Sequence, residues 1–358
     1  MSIAPSETLT PSIAQKKGYL RIATEEAYAP PEMLRQYRKL IDEKGTDDPG
    51  FLSQWAYFLG NAQRMTKLAG RLQDVGEPRI ADMDAVGITR QIVSLTSPGV
   101  QIFDAATGTA LAAAFNDQLA EAVRKHPDRF SGLAAVAPQN PAAAAKELER
   151  GVRRLGLKGA IINSHTHGEY LDDPKFWDIF AAAESLNVPI YLHPGTAPAR
   201  MIGPLIEKGL EGAIYGFAVE TSVHLLRLIM GGVFDQFPNL QIIAGHLGEG
   251  LPYWLCRLDL FQRNYQINNR FPHMPKLQRR PSEYIKENMY ITTSGMAWEP
   301  PILFCQSVLG VDRVLYAMDY PYQYAAEEVK VTDELPISDA DKKKLYQSNA
   351  EKLFNLTS

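Results

Sequence analysis

The chain predicts an α/β fold, a (β/α)8 TIM-like barrel with insertions after its first and fifth strands. Three observations carry this expectation. Short continuous apolar runs, of the kind that parallel strands buried on both faces require, alternate with amphipathic segments along the whole chain. The runs number about eight, the count that closes a parallel barrel. Chemistry-bearing side chains stand just past four of them: Glu25, His193, His246 and Asp319. In a parallel barrel that end of the strands is the mouth.

The strands are expected, in order, over Tyr19–Thr24, Gln91–Leu95, Ser131–Ala137, Gly159–Asn163, Pro189–His193, Leu240–Gly245, Met289–Thr293 and Arg313–Met318. Helices are expected over Thr107–Lys125, Pro141–Leu155, Pro174–Leu186 and Ser338–Phe354, where apolar residues recur at helical spacing. Several of these open on Pro or Asp, as helix N-termini prefer. The stretch Tyr28–Pro78 carries Trp55, Tyr57, Phe58 and Arg64 and is expected to fold over the mouth. Thr196–Gly216, with five Gly or Pro positions from Gly203 to Gly216, suits a flexible lid or an inter-subunit loop. Residues 1–17 mix Ser, Thr and Pro without an apolar centre and read as a mobile tail, not a signal peptide. Residues 18–358 read as one domain.

Composition narrows the function classes. An apolar fraction of 45% supplies a large core, and a net charge of −4 offers no basic field for nucleic acid or anionic lipid. No apolar run is long enough to span a bilayer. The two cysteines, Cys256 and Cys305, suit a reducing compartment and are expected as buried free thiols in helices. A cytoplasmic enzyme acting on a small molecule is the expectation.

Glu25, His193 and Asp319 at strand ends would give a rigid metal site with two hard oxygens and one nitrogen. That set favours Mn²⁺ or Mg²⁺ over Zn²⁺, which tolerates it. His246 begins the run His246-Leu-Gly-Glu249, in which Glu249 can bond the imidazole and set its tautomer. Taken singly, each residue has an ordinary explanation as a core histidine or a helix cap; as a set at matching positions they point to chemistry. In Ser164-His-Thr-His167, on a polar loop after the fourth strand, His165 is the candidate nearer the mouth and His167 the lesser one. His126 reads as a helix stop, His224 as a helix residue and His273 as a loop residue. Asp82 and Asp84 belong to an amphipathic helix over Arg79–Gly87, where capping and packing explain them. Arginines are the natural readers of carboxylates. Arg64 lies in the aromatic insertion and Arg257 follows His246 by about three helical turns; surface ion pairing is the alternative for either.

The runs Glu25-Glu-Ala27, Tyr191-Leu-His193-Pro194, Gly245-His246-Leu-Gly-Glu249 and Met318-Asp319-Tyr-Pro321 resemble the amidohydrolase-related aromatic acid decarboxylases, with similarity from about Tyr19 to Leu356. Many relatives carry a second ligand, a histidine, where Ala27 stands here. This departure leaves Glu25, His193 and Asp319 as the protein ligands and speaks against a dinuclear hydrolase. The resemblance implies Mn²⁺-dependent loss of CO2 from a benzoate with a phenol ortho to the departing carboxylate. It also implies that Asp319 delivers the proton to the ring carbon and that His246, held by Glu249, orients the substrate. Arg64 and Arg257 would bind a second carboxylate on the ring, Arg257 from either its own or a neighbouring subunit. Phe217, Tyr57 and Tyr322 would line the ring pocket, and a homodimer is implied. A metal-dependent hydrolase with Asp319 as base is the competing reading, and a barrel that only binds a ligand is the third.

Overall fold

The computed structural model describes residues 18–60 and 62–356; the tail expected over residues 1–17 lies outside the described residues. Eight strands run parallel: β1 (Ile22–Tyr28), β2 (Arg90–Leu95), β3 (Phe130–Gly132, resumed at Ala134–Ala135), β4 (Ala160–Asn163), β5 (Ile190–His193), β6 (Ile242–Ala244), β7 (Met289–Thr292) and β8 (Val314–Leu315). Each pairs with its neighbours in sequence. The break in β3 leaves the wall intact, because Leu133 N–H donates to Val93 O at 3.0 Å and Ala134 N–H to Gly159 O at 2.8 Å. The last strand returns to the first through Thr24 N–H to Tyr316 O at 3.0 Å, Ala27 N–H to Tyr320 O at 2.7 Å and a parallel bridge from Glu26 to Tyr320. The barrel is closed.

Its interior is packed rather than hollow. Ile22, Ile92, Leu133, Ile161, Tyr191, Ile243, Tyr290 and Leu315, one from each strand position, form a single buried layer, against which Ala350, Leu353 and Phe354 of the C-terminal helical segment pack.

The first strand differs from its sequence expectation. It ends at Tyr28 rather than Thr24, so Glu25 lies within the strand instead of beyond it. The register of its pairing with β2 slips between Ala23 and Glu26. A regular strand separates inward-facing residues by two, and this slip lets both Ile22 and Glu25 face the interior. The last strand is shorter than expected and leaves its ladder after Leu315.

The first insertion folds as α1 (Pro31–Asp42), α2 (Pro49–Phe58) and α3 (Gln63–Gln73), followed by α4 (Glu77–Ala85). Asp48 caps α2 by accepting Phe51 N–H at 2.7 Å. Buried Trp55 fixes the insertion to the loop after β2: its indole N–H donates to Ser97 O at 3.2 Å and its ring meets Tyr37 at 4.7 Å. The outer helices α5 (Ala105–Lys125), α6 (Pro141–Arg153) and α7 (Trp177–Leu186) fall close to their expected places. The second insertion is not a simple glycine loop. It contains α8 (Ala199–Ile206), with Pro204 inside it, and Ser53 Oγ donates to Glu211 at 2.6 Å, tying the two insertions together. Helices α9 (Gly216–Met230) and α10 (Leu251–Ile267) follow. Cys305 is buried, but Cys256 is exposed on α10, contrary to expectation. The helix expected over Ser338–Phe354 is divided, with a wider turn at Lys344–Ser348 between Asp339–Lys343 and Asn349–Leu353. No helix among the described residues is long and apolar enough to cross a membrane.

Candidate active site

Glu25 lies at the centre of the mouth and is almost wholly buried. Its Oε2 accepts three hydroxyls: Tyr191 from β5, Thr292 Oγ1 at 2.8 Å and Ser294. Its Oε1 has no hydrogen-bond partner, yet faces His193 Nε2 at 3.3 Å and His246 Nε2 at 3.7 Å. The tautomer of His193 follows from its other nitrogen, which donates to Pro194 O at 2.9 Å. A neutral His193 therefore turns the lone pair of Nε2 toward the lone pairs of a buried carboxylate oxygen. Two such acceptors at this separation call for a cation between them.

His246 sits in a tight left-handed turn, with φ of +48° at His246, +55° at Leu247 and +54° at Glu249. Non-glycine residues seldom adopt this region. Here it folds Glu249 back onto its neighbour, so that His246 Nδ1–H donates to Glu249 Oε1 at 2.8 Å. Burial would lower the imidazole pKa, but the charges of Glu249 and Glu25 outweigh it and push it up to about 10. Burial likewise drives the Glu25 carboxyl upward; the His246 charge, with the Ser294 hydroxyl, reverses this and holds it well below the usual carboxylate range. Asp319, in the left-handed region at φ +62°, takes the opposite course. Burial, reinforced by the Glu25 charge, raises its carboxyl well above the ordinary value, so it is set to hold a proton.

His193, His246 and Asp319 line one cavity of about 750 Å³. Tyr57, Arg64 and Lys67 wall it from the first insertion, Phe217 from the start of α9 and Tyr322 from the segment after β8. Tyr322 is held by a 2.7 Å hydrogen bond with Thr96 Oγ1 and packs on Phe58. Arg64 makes no ion pair among the described residues, so its guanidinium is available to an anion. Among these residues no three His, Cys, Asp or Glu side chains already surround one point. Asp319 nevertheless shares the cavity with His193 and lies within electrostatic reach of Glu25 and His246. The unpartnered Glu25 oxygen, the His193 imidazole and Asp319 fit a divalent cation of hard or borderline character.

Two sequence candidates lie elsewhere. His165 does not line this cavity: Gly168 N–H donates to its Nδ1 at 3.1 Å and its Nε2 donates to Thr196 O at 2.9 Å, so both nitrogens are consumed in holding loops. Arg257 is exposed on α10 and lines a separate groove of about 650 Å³ with Tyr215, Trp254 and Phe261. Within its own chain it does not reach the cavity that holds Arg64. Sequence reasoning also missed Tyr191, Thr292 and Ser294 around Glu25, although the polar run Thr292-Thr-Ser294 directly after an apolar strand was a usable signal. It missed Glu26 too, which is buried and bonded to the backbone on both sides of Asp319.

The amidohydrolase family model matches residues 70–356. A γ-resorcylate decarboxylase from Polaromonas sp. is 36% identical over 346 residues, covering 94% of this chain and 98% of that protein. Among solved structures, 5-carboxyvanillate decarboxylase from Novosphingobium aromaticivorans, complexed with manganese and 4-hydroxy-3-methoxy-5-nitrobenzoic acid, superposes with a TM-score of 0.94 at 50% identity, over 98% of this chain and 100% of that one. The 5-carboxyvanillate decarboxylase of Sphingomonas paucimobilis superposes with a TM-score of 0.87 at 39% identity, over 94% and 99% of the two chains.

Proposed function

The chain belongs to the amidohydrolase family, and from that premise we propose that it is a Mn²⁺-dependent carboxy-lyase that converts 5-carboxyvanillate to vanillate and CO2. The observation that carries the reading is the cavity itself, which Asp319, its carboxyl raised by burial, shares with His193 beside the unpartnered Glu25 oxygen and with Arg64, which makes no ion pair among the described residues. The manganese-bound neighbour supports the substrate. Its ligand is vanillate with a nitro group at the ring position where the proposed substrate carries the carboxylate that leaves.

Glu25, His193 and Asp319 would hold the metal. A cation bound there would supply positive charge to attract the anionic, phenol-bearing end of the substrate. The rest is done by the chain. Direct loss of CO2 would leave an unstabilised aryl carbanion, so a proton must first reach the carbon that bears the carboxylate. Asp319 gives its proton to that carbon and becomes a carboxylate. The ring–carboxylate bond then breaks, its electron pair restores the aromatic ring, and CO2 leaves. The His246 imidazolium, fixed by Glu249, faces the cavity and attracts the anionic end of the substrate. Arg64 binds the remaining carboxylate, and Tyr57, Phe217 and Tyr322 contact the ring faces.

Arg257 enters through a partner. The face around it exposes Tyr253, Trp254, Leu260 and Phe261, an apolar surface with the aromatic content of a homodimer interface. In such a dimer Arg257 would complete the carboxylate site of the neighbouring subunit. The 4-hydroxy-3-methoxy pattern of the neighbour's ligand supports a substrate among lignin-derived aromatics.

The test is a comparison of kcat/KM for 5-carboxyvanillate, γ-resorcylate and 2,3-dihydroxybenzoate in the Mn²⁺-loaded protein and in Arg64→Ala and Arg257→Ala. The dicarboxylate should be preferred, and each arginine variant should lose about 1.5–3 kcal/mol of transition-state binding for it, the worth of a hydrogen bond to a charged group. Equal losses on the monocarboxylates would remove the two arginines from the account.

A further inference from the structure

The barrel wall is thin beside its proton donor. After Leu315 the last strand makes no regular ladder, and the segment Tyr316–Tyr320 passes the β1 edge with its amides buried. Buried N–H groups must find acceptors. On one side Thr293 Oγ1 supplies one, taking Ala317 N–H at 3.0 Å. On the other side the acceptor is the carboxylate of Glu26. Its Oε1 takes Met318 N–H at 3.0 Å and its Oε2 takes Tyr320 N–H at 3.3 Å. One side chain thus grips the amide before Asp319 and the amide after it. Asp319 itself is in the left-handed region, which non-glycine residues leave readily unless their surroundings hold them.

The clamp is itself braced. Gln91 Nε2 donates to Glu26 Oε2 at 3.2 Å, Arg79 Nε donates to Gln91 Oε1 at 2.6 Å, and Arg79 Nη1 donates to Ala27 O at 2.9 Å. The same guanidinium stacks over Tyr320, 4.5 Å from the ring centroid. Glu26, Gln91 and Arg79 are all fully buried. None of them lines the substrate cavity. A carboxylate, a carboxamide and a guanidinium are costly to bury unless paired, and here all three converge on one stretch of backbone.

We infer that Glu26 is a positioning residue that holds the backbone of Asp319 in its left-handed conformation, so that the carboxyl presents its proton to the substrate ring. Glu26 touches neither substrate nor metal and acts through Asp319 alone. The inference rests on the decarboxylase reading only for its kinetic consequence.

The experiment is Glu26→Gln, which keeps shape but turns one acceptor into a donor facing an amide N–H. In the Mn²⁺-loaded protein kcat on 5-carboxyvanillate should fall on the order of 10- to 100-fold, as small misplacements of a reacting group do. With the protein kept saturated in Mn²⁺, so that a displaced Asp319 does not empty the metal site, KM should change by less than about threefold. In an Asp319→Asn background the same substitution should cost little more, because both changes remove one proton delivery. Hydrogen exchange of the Met318 and Tyr320 amides should accelerate in Glu26→Gln while exchange in β5 and β6 stays the same. Unchanged exchange at those two amides, or fold losses that multiply in the double variant, would overturn the inference. If Glu26→Gln does not fold, Glu26→Asp, which keeps the carboxyl but reaches one amide at most, gives the same two readouts. If the wild-type protein releases no CO2 from any substrate, the decarboxylase reading fails, and the exchange result still decides whether the clamp exists.

Discussion

At the scale of single residues, the site separates two neighbouring carboxyls, buried Glu25 and cavity-lining Asp319, by their surroundings. Glu25 receives three hydroxyls and faces two imidazoles, so it stays ionised and suits a cation. Asp319 has burial and a neighbouring negative charge against it and keeps a proton. Such opposed environments assign roles to chemically similar groups. Asp319→Asn is expected to lower kcat on the order of 10²- to 10⁴-fold, the usual worth of a positioned general acid, as measured by CO2 release. Glu249→Gln removes the first charge that raises His246. Its imidazole pKa, followed by NMR in metal-free protein, should then fall from about 10 toward the ordinary histidine value. His193, His246 and Asp319 were legible in the sequence because each follows a plain apolar run. Glu26 was not, since its partners Met318 and Tyr320 lie 292 and 294 residues away and nothing periodic marks a barrel seam. His165 misled for the opposite reason: a polar loop after a strand can also be spent on holding loops together.

At the scale of elements, the insertions make the cavity and the strand irregularities aim its contents. The slip in β1 turns Glu25 inward, and no propensity in Ile22-Ala-Thr-Glu25 announces it, which is why the strand was expected to end early. The loop after β4 is tied to α9 by another buried group, Glu220. It accepts from Ser164 and from Thr221 Oγ1 at 3.3 Å, while Ser164 Oγ also meets His224 Nδ1 at 3.1 Å. His224 Nε2 accepts Leu171 N–H at 3.0 Å, so its Nδ1 carries the proton and cannot serve Ser164 as a base; the trio is a brace, not a nucleophile. Burial pushes the Glu220 carboxyl up to about 8 against those hydrogen bonds. The folded state therefore holds a proton that the unfolded chain has released, and the contribution of Glu220 is complete below its unfolded pKa and lost as pH rises through about 8. Denaturant titrations should show stability declining across that window, by on the order of a few kcal/mol. Glu220→Gln should flatten the decline.

At the scale of the whole molecule, the number and order of the strands were readable because a closed parallel barrel needs apolar strands throughout, and these stand out in any window. Assembly was not readable, because an exposed aromatic helix face and a buried one share the same spacing. Trp254, 49% exposed on α10, is central to the face that carries Arg257. For the proposed homodimer, wild-type protein should sediment as a dimer and Trp254→Glu as a monomer, with kcat/KM on the dicarboxylate falling as in Arg257→Ala and the Asp319 cavity intact. The account as a whole stands on one reaction, proton delivery to a ring carbon followed by loss of its carboxylate. The direct measurement is to incubate the Mn²⁺-loaded protein with 5-carboxyvanillate in D2O and analyse the products by mass and NMR. CO2 and vanillate with a single deuterium at the carbon that lost the carboxylate are the expected result. Release of methanol or another hydrolysis product without CO2 would contradict the account and return the site to a hydrolase.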